Sequence, residues 1–326
     1  MKSGLIRSLF AGVVAAVAVS VVVSGQASAA PKIPCSTAKL IVPWGPGGGT
    51  AVIFGLVVEA LNKAGVEPRL QMVTIPGQGG NKGAKVARES KADGCTLFAL
   101  HQSAITSYLN GRVDFTWDAF EPVALLTHTP SIIGANKDVP YDDVKGLIAA
   151  AKASPGKILA GGTLGSTSHF IFILFEEASG IKFKHVSYDG TRQRMTALLA
   201  HNVDVGEINV AAAQKYIQAG ELKALGIATP ARDGRVPKVP TLGELGVDLV
   251  FGLDRGVMLP KGTPADVVAH YEGMFLKAMK DPGLKRTLEA KGNSIITQGS
   301  ADYRGHLEKT FETLKSAAIK VGLFKK

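Results

Sequence analysis

One unit recurs along this 326-residue chain: an apolar, β-rich run, a loop of glycine and hydroxyl residues, and a helix. Four such units are expected, with strands at 40–43, 69–75, 158–160 and 184–188. Alternating strands and helices with short connections are typical of parallel sheets covered by helices. In such sheets the ligand binds where strands end and helices begin. The recurring unit therefore predicts an α/β fold in which several polar loops line one ligand site.

The loop after the first strand is rich in glycine. The sequence VPWGPGGGT (residues 42–50) places three consecutive glycines directly before a helix. Unhindered backbone N–H groups beside a helix N-terminus bind anions. The phosphate-loop pattern GxxxxGK[ST] is absent from the sequence. A carboxylate is therefore the anion that we expect this loop to bind.

Hydroxyl and amide side chains stand where the helices are expected to begin. Thr50 is a candidate N-cap of the first helix and Asn81 of the second, because their side-chain oxygens can accept a hydrogen bond from the first turn. Ser166, Thr167 and Ser168 compete for that position in the third helix. The same side chains are candidates to bind a ligand, and the sequence leaves both roles open.

The first 30 residues have the pattern of a secretory signal peptide. Lys2 and Arg7 precede an apolar run at 9–24, and small residues follow it. We expect cleavage near Ala29 or Ala30; the alternative is an uncleaved N-terminal anchor. The remaining chain of about 296 residues suits two domains, and we expect a periplasmic protein.

Charge and cysteine content exclude several partners. The formal net charge is +10, but the basic residues are scattered rather than clustered with aromatic residues, so we expect no nucleic-acid partner. The sequence has no CxxC and no Cys/His cluster with metal spacing, so we expect no metal and no cofactor. Cys35 and Cys95 precede or open strands at 39–43 and 95–100. In an exported chain they form either a disulfide or two buried thiols.

The sequence offers little for catalysis. HExxH is absent, and GxSxG does not occur around Ser166 or Ser168. His169 follows these serines, but a serine–histidine pair without a third group is a weak sign of nucleophilic catalysis. We therefore expect a protein that is not an enzyme.

Six stretches of the sequence carry a resemblance to a known family. They are VPWGPGGGT (42–50), PGQGGNKGAKVARESKADGCTL (76–97), GSTSHF (165–170), VSYDGTRQRMTALLAHNVDV (186–205), RVPKVPTLGELG (235–246) and LPKGTPADVV (259–268). Together they resemble the substrate-binding proteins of tripartite tricarboxylate transporters, the Bug-type periplasmic receptors. The likeness spans essentially the whole mature chain.

The resemblance implies a type II periplasmic-binding-protein fold with two parallel-sheet lobes joined by two crossovers. Lobe 1 would comprise residues 31–130 and 252–326, and lobe 2 residues 131–251. The crossovers would lie near 128–136 and 250–256. A receptor of this kind delivers its ligand to the membrane permease subunits of the transporter, and we expect it to be a monomer.

The resemblance also implies a ligand between the lobes: a di- or tricarboxylate, an amino acid or an aromatic acid. Lobe 1 would contribute Trp44, Gly47, Gly48, Gly49, Thr50, Gly77, Gln78 and Ser103. Lobe 2 would contribute Gly165, Ser166, Ser168, His169, Tyr188, Asp189, Thr191 and Arg192. The indole of Trp44 either packs on a flat ligand or covers its own loop.

The chain departs from the family pattern beside this site. Ala51 replaces an Asp, and Asp189 replaces a Lys. Arg192 and Arg194 stand where the family usually has small residues; they either lie on the helix surface or, for Arg192, bind a second ligand carboxylate. The latter favours a dicarboxylate or aromatic acid over an amino acid. Glu207 faces either the cleft or the edge of the core.

Three functions from different classes remain open. The first is a transport receptor, and the second is a periplasmic sensing subunit with a signalling membrane partner. A permease pair or a histidine kinase among the encoded neighbours would separate these two. The third is an exported enzyme, whose mark would be turnover of a bound acid.

Overall fold

The computed structural model describes residues 31–320 and 322–324. The predicted signal peptide and its cleavage near Ala29 or Ala30 lie outside these residues and stay predictions. Within the described ranges, no helix combines the length and the apolar character needed to span a bilayer.

Six strands form the first sheet. They are β1 (Thr37–Val42), β2 (Arg69–Thr74), β3 (Thr96–His101), β4 (Phe120–Pro130), β10 (Gly252–Pro260) and β11 (Ser294–Gln298). Their order in the sheet is β11-β4-β10-β3-β1-β2. Five strands form the second sheet in the order β7-β6-β8-β5-β9. They are β5 (Ile132–Asn136), β6 (Leu159–Gly162), β7 (Lys184–Ser187), β8 (Val205–Ile208) and β9 (Leu222–Ile227).

Helices cover both sheets. Those packed on the first sheet are α1 (Gly49–Lys63), α2 (Asn81–Arg88), α3 (Ser103–Leu109), α8 (Ala265–Ala278), α9 (Pro282–Ala290) and α10 (Ser300–Lys320). Those packed on the second are α4 (Val144–Ala153), α5 (Thr167–Ser179), α6 (Thr191–Leu199) and α7 (Val210–Gln218). The α/β class is therefore confirmed.

The first sheet is buried on both faces. Leu40 on β1 packs in one apolar cluster with Phe54 of α1 and Phe275 of α8. Its neighbour Ile41 points to the opposite face, into a cluster that holds Leu307 of α10. Successive strand residues point to opposite faces, so a run of apolar residues such as LIV needs a covering layer on each side.

Both sheets are mixed, whereas the sequence analysis expected parallel sheets. β1 is parallel to β2 and β3, and β6 is parallel to β7 and β8. β10 is antiparallel to β3 and β4, and β5 is antiparallel to β8 and β9. β11, at the edge of the first sheet, is also antiparallel to its neighbour β4. β5 and β10 each enter a sheet from the other sheet. They are not joined to their neighbours through a strand–helix–strand unit, which is what makes neighbouring strands parallel.

The chain passes between the sheets at two adjacent places. The first passage is Ser131, between β4 and β5, and the second is the segment between β9 and β10. The Ser131 N–H donates to the Phe251 carbonyl at 3.2 Å, and the Ala228 N–H donates to the Ser131 carbonyl at 2.9 Å. The two crossing segments therefore lie side by side. The lobe boundaries given above remain a prediction.

Two helices begin on glycine rather than on the expected polar caps. Gly48 is the N-cap of α1, and Gly80, with a φ of +95°, is the N-cap of α2. Thr50 and Asn81 lie inside these helices. At α5 the N-cap is Ser166, but its side chain makes no capping hydrogen bond. Polar side chains at these positions are therefore available for other contacts.

The cysteines lie where two neighbouring strands begin. Cys35 and Cys95 form a disulfide with a Cα–Cα distance of 5.9 Å. They precede β1 and β3, which are adjacent and parallel, so both sulfurs reach the same end of the first sheet. The bridge links residues 60 apart in sequence and reduces the conformational freedom of the unfolded chain.

Candidate functional site

A cavity of about 300 Å³ lies between the two sheets. Its walls come from loops at the carboxyl ends of β1, β3, β6 and β7, together with the crossing segment at Ser131 and the start of β10. Parallel strands bring their carboxyl ends to one edge, which is why loops far apart in sequence meet here. We call the side formed by the first sheet the first wall and the side formed by the second sheet the second wall.

The cavity gathers ten of the sixteen residues that the sequence analysis named. They are Trp44, Gly48, Gly49, Thr50, Ser103, Ser166, Ser168, Asp189, Thr191 and Arg192. Gly47 lines a neighbouring cavity behind Arg192. Gln78, Gly165, His169 and Tyr188 line a third cavity, and Gly77 lines none of these three.

Arg255 dominates the first wall. It is only 3% exposed, yet it lines the cavity. Its Nε donates to Thr50 Oγ1 at 3.1 Å, and its Nη1 donates to Thr129 Oγ1. No carboxylate among the described residues forms an ion pair with it. Burial lowers the pKa of Arg255 to about 10, against the raising effect of Glu207 and Asp254, so the guanidinium stays charged at neutral pH.

The N-terminus of α1 adds donors beside this guanidinium. The first N–H groups of a helix have no partner within the helix, and Gly48 and Gly49 leave them open to the cavity. A side-chain carbon at Gly49 would lie 3.4 Å from Nη2 of Arg255. The helix end and the buried cation therefore converge on one place, and both favour an anion.

An aromatic stack completes the first wall. The rings of Trp44 and His101 lie 4.9 Å apart and nearly parallel. Burial, and then the nearby charge of Arg255, lower the pKa of His101 to about 3. The neutral ring accepts the Ser103 N–H at Nδ1, at 3.2 Å. Trp44 Nε1 is buried and has no hydrogen-bond partner among the described residues.

The second wall carries a buried ion pair. Arg194 is 2% exposed and pairs through Nη2 with Oε2 of Glu207. Its Nε donates to the Glu207 carbonyl at 2.7 Å, and its Nη1 donates to Ser168 Oγ at 3.2 Å. The prediction that Arg194 lies on the helix surface is therefore wrong. Glu207 faces the cavity, where its carboxylate also accepts a 3.4 Å hydrogen bond from Ser131.

Arg192 lies at the rim of the cavity. It is exposed and lines the cavity. A side-chain carbon at Gly47 would lie 2.9 Å from its Nη2, so the guanidinium reaches across to the glycine loop. Gly47 also has a φ of +77°, which side chains disfavour. The positive φ is therefore what favours glycine at this position.

The third cavity belongs to a contact between the walls. Thr106 Oγ1 donates to the Gly165 carbonyl at 2.9 Å, and Asn110 Nδ2 donates to the same oxygen at 3.1 Å. The Gly165 N–H donates to Nδ1 of His169 at 3.2 Å. Burial, and then the nearby His185, lower the pKa of His169 to about 4. Gly165 and His169 hold the loops together here rather than lining the central cavity.

Sequence reasoning missed the residues that line the cavity from the crossing segments. These are Thr129, Ser131 and Arg255. Arg255 lies in the range 250–256, to which the sequence analysis assigns only a crossover. The available signal was a charged side chain in a strand that continues as GVMLP, since a charge in a buried strand needs a partner.

No group of three or more His, Cys, Asp or Glu side chains in the described ranges is arranged to hold a metal ion. The fold and the cavity define a two-sheet receptor with a ligand site at the strand ends.

Comparison with known proteins identifies the family. The family described as tripartite tricarboxylate transporter family receptor matches residues 64–323. The chain is 29% identical over 326 residues to a Cupriavidus necator protein described as the UPF0065 protein in the gbd 5′ region, covering 97% of each. This protein belongs to the tripartite tricarboxylate transporter receptor family.

Solved structures agree with this fold. A TctC solute binding protein from Polaromonas, solved with no ligand, has a TM-score of 0.70 at 27% identity and covers 89% of this chain and 100% of its own. MatC from Rhodopseudomonas palustris, solved with bound malate, has a TM-score of 0.79 at 24% identity and covers 86% of this chain and 98% of its own. The periplasmic-binding-protein fold is thereby confirmed. The protein is an extracytoplasmic solute receptor and not an enzyme.

Proposed function

We propose that this protein captures a small carboxylate in the central cavity and delivers it to the permease subunits of a tripartite tricarboxylate transporter. The observation that carries the proposal is Arg255: a buried guanidinium that opens on the cavity and forms no ion pair with a carboxylate of the described residues. A buried charge is costly unless it is paired. A ligand carboxylate that also accepts the N–H groups of α1 supplies the missing partner.

The ligand is a dicarboxylate or an aromatic acid. Arg192 supports a second acidic group, because its guanidinium stands at the rim and reaches towards Gly47. An acid that spans the cavity places one carboxylate on Arg255 and the other on Arg192. The planar fork of an arginine suits a bidentate contact with a carboxylate.

Ligand capture proceeds by closure of two lobes. In this proposal lobe 1 comprises residues 31–130 and 252–326 and lobe 2 residues 131–251, with the paired passages at Ser131 and Phe251 as the hinge. A ligand held by Arg255 on one side and by the second wall on the other binds the closed form more tightly. The permease recognises that closed form, and the receptor acts as a monomer after removal of a signal peptide near Ala29 or Ala30.

A thermal-shift screen tests the carboxylate. The panel holds mono-, di- and tricarboxylates and aromatic acids, each with its amide as the control. A ligand at about 100 times its dissociation constant adds roughly 2.7 kcal/mol to the stability, which is a shift of several degrees for a chain of this size. We expect a shift with an acid and none with its amide. Equal shifts with acid and amide, or none after ligand removal by unfolding and refolding, would contradict the proposal.

A second function uses the same site. A periplasmic sensing subunit would bind the same acid and pass the signal to a membrane kinase instead of a permease. Uptake of the labelled acid by cells that lack this receptor distinguishes the two. Lost uptake supports transport, whereas normal uptake with a lost transcriptional response supports sensing.

A further inference from the structure

We propose that Glu207 makes the receptor selective for carboxylic acids that carry a neutral hydrogen-bond donor, in particular a hydroxyl near the anchored carboxylate. This rests on the proposed function of the cavity. A carboxylate in the wall of an anion site is unexpected, because it repels the ligand. Its contacts and the charge balance around it explain its presence.

Glu207 keeps acceptor capacity that faces the cavity. A carboxylate has about four acceptor positions. Its side-chain partners are Arg194, at Oε2, and Ser131, at Oε1, at a long 3.4 Å. The side chain remains 13% exposed, and Glu207 lines the cavity. A carboxylate with free acceptor positions at the cavity favours a ligand group that donates a hydrogen bond.

The position of Glu207 sets where that donor must be. Glu207 accepts a hydrogen bond from Ser131, and Arg255 donates to Thr129, two residues earlier in the chain. Both charged groups line the same cavity, so the carboxylate of Glu207 lies near the ligand anchor. A donor that reaches it belongs to a carbon close to the anchored carboxylate.

The charge balance selects a hydroxyl over an ammonium group. Two buried guanidiniums, Arg194 and Arg255, line the cavity together with the carboxylate of Glu207, which pairs with Arg194 and leaves one positive charge. The anchored carboxylate neutralises it. Asp254 also lies near Arg255, but its oxygens accept hydrogen bonds from His128, His306 and Gln102. Asp254 does not line the cavity. A ligand ammonium group would add an uncompensated positive charge to this buried set, whereas a ligand hydroxyl adds no charge.

Matched pairs of ligands test the selectivity by calorimetry on protein expressed from the full chain. The pairs are each enantiomer of malate against succinate, each enantiomer of 3-hydroxybutyrate against butyrate, and 2-hydroxybenzoate against benzoate. The measured quantity is the affinity ratio within each pair. We expect at least one pair in which the hydroxy acid binds roughly tenfold more tightly, as a charge-assisted hydrogen bond provides.

The variant Glu207→Gln replaces the charged acceptor by a neutral one of the same shape. We expect the hydroxy-to-deoxy ratio to fall roughly fivefold, because a neutral hydrogen bond is weaker than a charged one. The loss of repulsion raises the affinity of both acids together and cancels in the ratio. Glu308→Gln makes the same change on the exposed surface of α10 and should leave the ratio unchanged. If Glu207→Gln does not fold, Glu207→Asp withdraws the acceptor and should lower the ratio too.

The outcomes separate the two proposals. Ratios near one for every pair in the unmodified protein, or a ratio that Glu207→Gln and Glu207→Asp leave unchanged, overturn the selectivity while the carboxylate receptor stands. Failure of every acid in the panel to bind overturns the carboxylate receptor itself, and the selectivity with it.

Discussion

The two walls of the cavity each hold a buried arginine, but within residues 31–320 and 322–324 only one of these arginines has an acidic partner. Arg194 on the second wall pairs with Glu207, whereas Arg255 on the first wall donates hydrogen bonds to the neutral side chains of Thr50, Thr129 and Asn293. A buried charge with a partner in the chain is part of the structure. A buried charge without one is available to a ligand. The comparison assigns anchoring to the first wall and selection to the second.

Breaking the internal pair should have the largest effect. Arg194→Met leaves Glu207 without its cation, and we expect the free energy of unfolding to fall by about 3–5 kcal/mol. Urea unfolding measures the loss. Arg192→Met, on the same helix but exposed, is the matched control and should change stability by no more than about 0.5 kcal/mol. A loss for Arg194→Met as small as that of the control would show that the pair is not structural.

Removing Arg255 should mainly weaken ligand binding, whereas removing Arg194 should mainly lower the stability. Arg255→Met should weaken binding of the acid found in the screen by at least about a hundredfold, since a buried charge pair is lost. Stability without ligand should change little, because an unpaired buried cation costs free energy. Calorimetry and urea unfolding on the same samples test both parts. Binding within about threefold of the unmodified protein would refute the assignment of the first wall.

The pH dependence of the stability should reveal the burial of His101 in the first wall. The pKa of His101 is about 3 in the folded protein and about 6.5 when unfolded, so the unfolded state binds more protons between these values. Its contribution to stability is present above about pH 6.5 and is lost as the pH falls towards 3. Between pH 6 and pH 4, we expect the free energy of unfolding of His101→Asn to fall by about 2 kcal/mol less than that of the unmodified protein. Parallel stability curves for the two proteins would contradict this.

Replacing Arg192 at the rim of the cavity should have the smallest effect of these substitutions. Arg192→Ala should lower the affinity for dianions roughly tenfold and the affinity for monoanions much less, because this arginine is exposed and partly screened. Titrations at low and high salt should show the difference shrinking as screening increases. Unchanged affinity for every dianion would remove Arg192 from the site.

The sequence predicted which loops form the site better than it predicted which charged residues line it. Glycine runs and hydroxyl residues before helices are local signals, and they led to Gly48, Gly49, Thr50 and Ser166 at the cavity. Arg255 depends on which strand follows the second crossing, and no local pattern encodes that. Mixed strand directions escaped prediction for the same reason, since β5 and β10 owe their orientation to the crossings rather than to neighbouring helices.

Burial was equally hard to foresee for Arg194. On α6 it stands two residues from the exposed Arg192, and both read as basic residues on a polar helix. Its burial follows from contact with Glu207 and Ser168, which come from β8 and α5. Side chains from three elements determine its environment, so a single helix pattern cannot reveal it.

A crystal structure with the acid identified in the screen tests the central claim most directly. The account predicts that one ligand carboxylate lies within hydrogen-bond distance of the Arg255 guanidinium and of the first N–H groups of α1. A carboxylate bound elsewhere in the cavity, with Arg255 contacted only by protein side chains and water, would contradict it.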